Sequence, residues 1–187
     1  MASTTHAEAI KGVEAIFERY LLIAHSQNFT GFDRHLMSTV AIIDAGPEGS
    51  VTFDLLIDER YSNINGVMHG GAAGVIFDMC TTTALGPLAR PGFWDFLGGV
   101  TRSLNISYLR AIPIGTTVRI TSTVMQIGRT MALIRGTMSS RDGSTVYCTC
   151  EHHKVAVPTR KEHLEYRVAW DGLWEGKGKG KGGEAKL

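Results

Sequence analysis

Apolar positions along the chain first recur at helical spacing, then alternate, then crowd together, and then alternate again to near the C-terminus. Thr5-His6-Ala7-Glu8 has the form of a capping box, and Ile10, Val13, Phe17, Tyr20, Leu21 and Ala24 follow at helical spacing. This predicts an amphipathic helix lying against the rest of the fold. His25 to Met37 is polar and broken by Asn28 and Gly31, so it reads as a connection. Ser38 to Ala45 and Ser50 to Ile57 are β-rich runs around Gly46-Pro47-Glu48-Gly49, the pattern of a hairpin. Asp58 to Met68 is a loop that delivers Asn63 and Asn65 to the next element.

From Gly70 to Leu85 almost every residue is small or apolar, so this helix has little polar face and is expected to be buried as the central element. The loop GPLARPGFWDFLGG follows; its Phe93, Trp94 and Phe96 suit packing onto the domain better than walling a ligand pocket. Four β-like runs come next, at 100–109, 116–126, 130–140 and 144–157, with turns at Ile127-Gly128 and Arg141-Asp142-Gly143. Such short turns join antiparallel neighbours. The whole predicts an α+β fold: a curled antiparallel sheet of about six strands around a central helix, with an extra N-terminal helix. Beyond Pro158, the alternation of Leu164, Tyr166, Val168 and Trp170 predicts an extended segment docked on the domain. The tail GKGKGKGGEAKL is expected to be disordered from about residue 176. The expected division is therefore 1–37, helix and connection; 38–158, the main domain; 159–187, a C-terminal extension.

Composition narrows the function classes. A chain of 187 residues, 43% hydrophobic and with net charge +1, fits one soluble domain. It has no basic stripe for nucleic acid and no apolar run long enough to span a bilayer. Glu8, Glu14 and Glu18 argue against a signal or transit peptide. Three cysteines, an odd number, argue against a disulfide scaffold and for a reducing compartment, the cytoplasm by default or else the mitochondrion.

Two residues break the pattern of the central helix. His69 precedes Gly70 and Gly71 at its start, where unpaired N–H groups and the positive end of the helix dipole gather. Asp78 sits well inside it, and a carboxylate is costly there unless something pairs with it or uses it. The two are nine positions apart, a rise of roughly 13 Å. They serve different tasks, or two copies of the helix lie side by side in opposite directions.

Asn63-x5-His69-Gly70-Gly71 with Asp78 resembles the hotdog-fold acyl-CoA thioesterases, in the branch of the phenylacetate-pathway thioesterases and acyl-CoA thioesterase 13. Asn105-Ile-Ser-Tyr108 with Gly115, then Gly128-Arg129-Thr130, then His152-His-Lys154 carry the resemblance through residues 38 to 157. The resemblance implies domains paired side by side with antiparallel central helices, as a homodimer or a dimer of dimers. Each active site then joins Asp78 of one copy, as general base or nucleophile, to Asn63, His69 and Gly70 of the other. Gly70 N–H would serve as oxyanion donor, Asn63 and His69 would position substrate and water, and Thr101 would orient the aspartate. Gly71, Tyr108, Arg110, Gly128, Arg129 and Thr130 fall where relatives hold coenzyme A, with Arg129 the candidate for its phosphates. Coenzyme A enters as part of the substrate, and no separate cofactor is implied.

Each residue also has a plainer reading. Asp78 can be a helix residue satisfied by Thr81 or Thr82, and His69 an ordinary helix-start residue. The glycines can serve close packing alone, and Arg129 and Thr130 can be a solvated hairpin tip. Cys148, Cys150 and His152 share a strand face, but zinc seldom takes all its ligands from one strand, so a core face is expected and no metal. A non-catalytic acyl-CoA-binding or sensing module is the second functional reading. A hydratase ranks third, since the close aspartate–histidine spacing it uses is missing. The apolar loop after the helix is longer than in relatives, which leaves the acyl preference open.

Overall fold

The computed structural model describes residues 4–96 and 99–175. The elements in chain order are α1 (His6–Ser26), α2 (Asp33–Thr39), β1 (Ala41–Gly46), β2 (Ser50–Leu56), α3 (Gly70–Thr83), β3 (Val100–Tyr108), β4 (Thr117–Ile127), β5 (Met131–Ser140), β6 (Val146–Val155), α4 (Lys161–Leu164) and α5 (Ala169–Glu175). The six strands form one antiparallel sheet in the order β1-β2-β4-β5-β6-β3. The sheet curls around α3, and Phe53, Phe77, Ile76, Ile120, Ile134 and Met138 are fully buried between them. This is the hotdog architecture that the sequence predicts.

The N-terminal capping box forms as read: Thr5 Oγ1 accepts from Glu8 N–H and Glu8 Oε2 accepts from Thr5 N–H. Asn28 does end the helix. It takes φ of 50°, and the N–H groups of Phe29 and Asn28 return to Ala24 O and His25 O, a Schellman turn. The segment expected to be pure connection then forms α2, because Leu36 and Met37 on its inner side are buried and His35 reaches Asp58 at 2.6 Å. The first strand consequently begins at Ala41 rather than Ser38.

The stretch expected to be extended after Pro158 is instead two short helices. Its alternation is misleading because Asp171, not the apolar residues, sets the geometry. That carboxylate accepts from Val168 N–H at 3.0 Å and twice from the guanidinium of Arg19 on α1. The tail expected to be disordered lies outside the described residues. No helix among the described residues is long and apolar enough to cross a membrane.

Gly136 on β5 fixes how closely α3 can approach the sheet. A Cβ there would lie 2.7 Å from Cys150 Sγ and 2.9 Å from Phe77 Cδ1. Gly136→Ala is therefore expected to lower stability by about 1–3 kcal/mol through overpacking, read from urea unfolding midpoints.

The expectation that α3 is buried all round is only partly met. Ala73, Ile76, Phe77 and Cys80 face the sheet and are buried, whereas Gly71, Gly74, Val75 and Asp78 form a face left partly or wholly uncovered. A Cβ placed on Gly74 would meet nothing within 4 Å. This apolar helix thus has one open face with no full cover among the described residues.

Candidate functional site

The helix start is built by the loop before it. Asn63 Oδ1 accepts from Asn65 N–H at 2.9 Å, and Asn63 N–H donates to Val67 O at 2.8 Å. Gly66, at φ of 73°, closes that turn in a conformation side chains rarely take. His69 N–H then donates to Tyr61 O at 2.7 Å, and His69 Nδ1 accepts from Gly71 N–H at 2.8 Å. His69 is thus the N-cap of α3. Gly70 N–H, at the first helical position, has no acceptor among the described residues. Its carbonyl accepts from Tyr108 Oη at 2.7 Å, which ties the end of β3 to the helix start. Gly70, Tyr108 and Arg110 line a cleft of about 280 Å³ there.

The second cluster surrounds Asp78. Its side chain is 36% exposed, so it is not the deeply buried group the sequence suggests. Thr101 Oγ1 donates to Asp78 Oδ1 and lies 2.9 Å from His152 Nε2, while His152 Nδ1 lies 2.6 Å from Thr81 Oγ1. An ionised carboxylate only accepts, so the Thr101 proton goes to Asp78, and His152 Nε2–H then donates to Thr101. Nδ1 is left as the acceptor facing Thr81, whose one proton is shared between it and the Phe77 carbonyl. The hydroxyls of Thr81 and Thr82 reach helix carbonyls at Phe77 and Asp78 and leave the Asp78 carboxylate to Thr101. Thr101 thus contacts the carboxylate that the resemblance has it orient.

His152 is fully buried, and Lys154, two residues on along the same inner face of β6, is 3% exposed. Lys154 Nζ donates to Thr82 Oγ1 at 2.8 Å. Burial, reinforced by the Lys154 charge and opposed by Asp78, pulls the His152 imidazole down to about 4. Burial likewise lowers Lys154 to about 8, against the pull of Asp78. His152 is thus neutral in the folded protein near neutrality. Neither residue has a functional role in the sequence reading, which takes this strand face for core. The signal lies in the alternation itself, since Cys148, Cys150, His152 and Lys154 all point inward and two of the four can carry positive charge.

A pH dependence follows from His152. Its folded-state value of about 4 lies below the ordinary 6.5, so as pH falls the unfolded chain takes up this proton first. The stabilisation is complete above pH 6.5, is lost between 6.5 and 4, and falls no further below 4. The loss is on the order of 3 kcal/mol. Urea unfolding at pH 7 and pH 4 is expected to show it in the natural protein and to show a smaller difference in His152→Gln.

The remaining candidate residues divide between these two clusters. Tyr108 pairs with Cys148 at one end of β3, near Gly70, and Arg110 follows it. Val100 pairs with Val155 and Val155 with Met131, so the opposite end of β3 lies beside the β4–β5 turn. There Gly128 N–H donates to Met131 O, Gly128 O accepts from Trp94 Nε1 at 2.8 Å, and Arg129 and Thr130 are exposed. One chain therefore holds Asn63, His69, Gly70, Gly71, Tyr108 and Arg110 at one end, and Asp78, Thr101, Gly128, Arg129 and Thr130 at the other. Between Gly70 and Asp78 the helix rises roughly 12 Å.

Residues 65–147 match the family model of the thioesterase superfamily. The chain is similar to acyl-coenzyme A thioesterase 13 of Mus musculus, 27% identical over 124 residues that cover 66% of this chain and 84% of that protein. Among solved structures it resembles zebra fish thioesterase superfamily member 2, with a TM-score of 0.61 and 28% identity over 72% of this chain and 93% of that one. Thioesterase superfamily member 2 from Mus musculus superposes with the same TM-score of 0.61 at 23% identity, over 79% of this chain and 96% of that one, a likeness of fold.

Proposed function

We propose that this hotdog-fold member of the thioesterase superfamily hydrolyses an acyl- or aryl-coenzyme A thioester to the free acid and coenzyme A. The observation that carries the reading is the division of the site between the two ends of β3. β3 is an edge strand, and its end residues Val100 and Tyr108, with Leu109 just beyond it, are each at least half exposed. Antiparallel pairing of two such edges sets the Tyr108 end of one copy against the Thr101 end of the other. It also covers the open face of α3 and brings Gly70 of one copy toward Asp78 of its twin. The β4–β5 turn beside Asp78, with Arg129, then faces the cleft of Tyr108 and Arg110 in the second copy, leaving room between them for coenzyme A.

The chemistry then runs in two steps. Asp78 takes a proton from water as the water oxygen bonds to the thioester carbon, and the carbonyl oxygen becomes an oxyanion facing Gly70 N–H of the twin. The C–S bond breaks as the carbonyl re-forms, and the coenzyme A thiolate leaves with the proton from Asp78. Thr101 fixes the rotamer of the carboxylate, with His152 behind it. Lys154 leaves a cation behind the negative cluster.

Steady thiol release from a panel of aliphatic and aryl coenzyme A thioesters is the expected result, from a protein that sediments as a dimer or larger. Stoichiometric binding with no turnover across that panel would favour the sensing module instead. Thr101→Ala is expected to lower kcat roughly ten- to a hundredfold through loss of carboxylate orientation, and Thr101→Ser to restore most of it with little change in KM.

A further inference from the structure

We propose that the cavity enclosed by α1, the loop after α3 and the C-terminal helices is a second ligand site, for a monocarboxylate with an apolar body. The inference does not depend on the hydrolytic reading. The cavity measures about 720 Å³, within the range of small-molecule sites. Ala15, Ile16, Leu85 and Trp94 wall it and are all buried. Protein interiors close up to crystal-like density, so an apolar space of this size between buried walls is suited to hold something. It shares no residue with the cleft at the start of α3 or with the Asp78 cluster. All the lining residues from α1 and the C-terminal segment lie outside the stretch matched to the family model.

Charge selects the ligand. Arg19 is engaged: its guanidinium donates to both oxygens of Asp171 and to Tyr166 O, and stacks over Phe96 with 5.4 Å from Cζ to the ring centroid. Asp95 accepts from Gly92 N–H at 3.1 Å. At the mouth stand Arg90, over the Phe93 ring at 4.6 Å, and Arg167, whose side chain is 61% exposed and lies 3.4 Å from Asp171. Among the described lining residues three guanidiniums stand against two carboxylates, an excess of one positive charge that falls on the exposed Arg90. A single carboxylate on Arg90 balances that excess while an alkyl or aryl body fills the apolar interior. A dianionic phosphate would overcompensate the charge beside apolar walls.

The test is calorimetric titration of the full chain with decanoate, followed in parallel by tryptophan fluorescence because Trp94 and Trp170 line the cavity. Decanoate is expected to bind and decyltrimethylammonium, with the same tail and the opposite charge, is not. Ala15→Phe, which fills the interior, is expected to abolish binding. Arg90→Ala, at an exposed position, is expected to weaken it roughly tenfold. Asp78→Asn is expected to bind as the natural protein does. Failure of decanoate to bind, equal binding of the cation, or indifference to both cavity substitutions would overturn the proposal. Displacement of decanoate by a decyl-coenzyme A thioether would also overturn it, since the cavity would then be the tail end of the thioester site. Because the readout is binding, loss of thioester turnover with decanoate binding intact would remove only the hydrolytic reading.

Discussion

Asp78→Asn is expected to reduce kcat for thioester hydrolysis by roughly 10²–10⁴, the contribution of a positioned general base. The substitution is nearly isosteric. Asparagine keeps an oxygen to accept the Thr101 hydroxyl, so the local hydrogen-bonded chain through Thr101 to His152 survives in form. What it removes is the charge and the ability to take a proton from water. The side chain is about a third exposed in one chain, so its replacement should cost little stability, within about 0.5 kcal/mol for a site away from the close-packed core. Initial rates at saturating thioester, with a melting curve on the same sample, separate the two effects. A large fall in kcat with an unchanged melting point supports a chemical role, and unaltered turnover would sink it. A fall in both would point to a structural role for the carboxylate.

How much of this was legible beforehand depended on whether a signal was local. The capping box, the β1–β2 hairpin, the apolar run of α3 and the four later strands depend on spacing and turn residues within short windows, and each formed close to its expected limits. The second helix did not announce itself, because Asn28 and Gly31 read as punctuation while the burial of Leu36 and Met37 depends on distant parts of the fold. The C-terminal helices were missed for the same reason: Arg19, more than a hundred residues away, holds Asp171 and bends the segment around it. His152 was hidden differently. It stands on a strand face with two cysteines, where a metal or a core were the readings to weigh, and only its contact with Thr101 across the sheet gives it a part. Thr101 was singled out because the resemblance supplied it; nothing in its neighbours alone sets it apart from the other hydroxyls of β3. The open face of α3 is the instructive case. An apolar helix was expected to be covered on every side, whereas the stripe of Gly71, Gly74, Val75 and Asp78 is left partly or wholly uncovered, the face that the proposed pairing of two copies would cover.

The proposed oxyanion donor is separable from the fold. Gly70→Pro is expected to cut kcat by roughly 10²–10³, the usual cost of losing one such donor, while the helix still forms. Proline is favoured at the first helical position, where its missing N–H breaks no helical bond. The residue before it must be extended, and His69 already is, at φ −67° and ψ 138°. Gly70→Ala keeps the N–H, and its Cβ meets Tyr108 Oη at 3.5 Å, an ordinary contact, so it serves as the active control. Two defects on opposite copies provide the sharper measurement. In a mixed dimer of Asp78→Asn with Gly70→Pro, one composite site has lost both groups and the other has kept both. Unfolding and refolding the two variants together at equal amounts makes about half the dimers mixed, so about a quarter of the natural activity should return. Activity that stays absent in the mixture, with mixed dimers shown to be present by mass, would mean that the acid and the amide act within one chain, against the roughly 12 Å of helix between them.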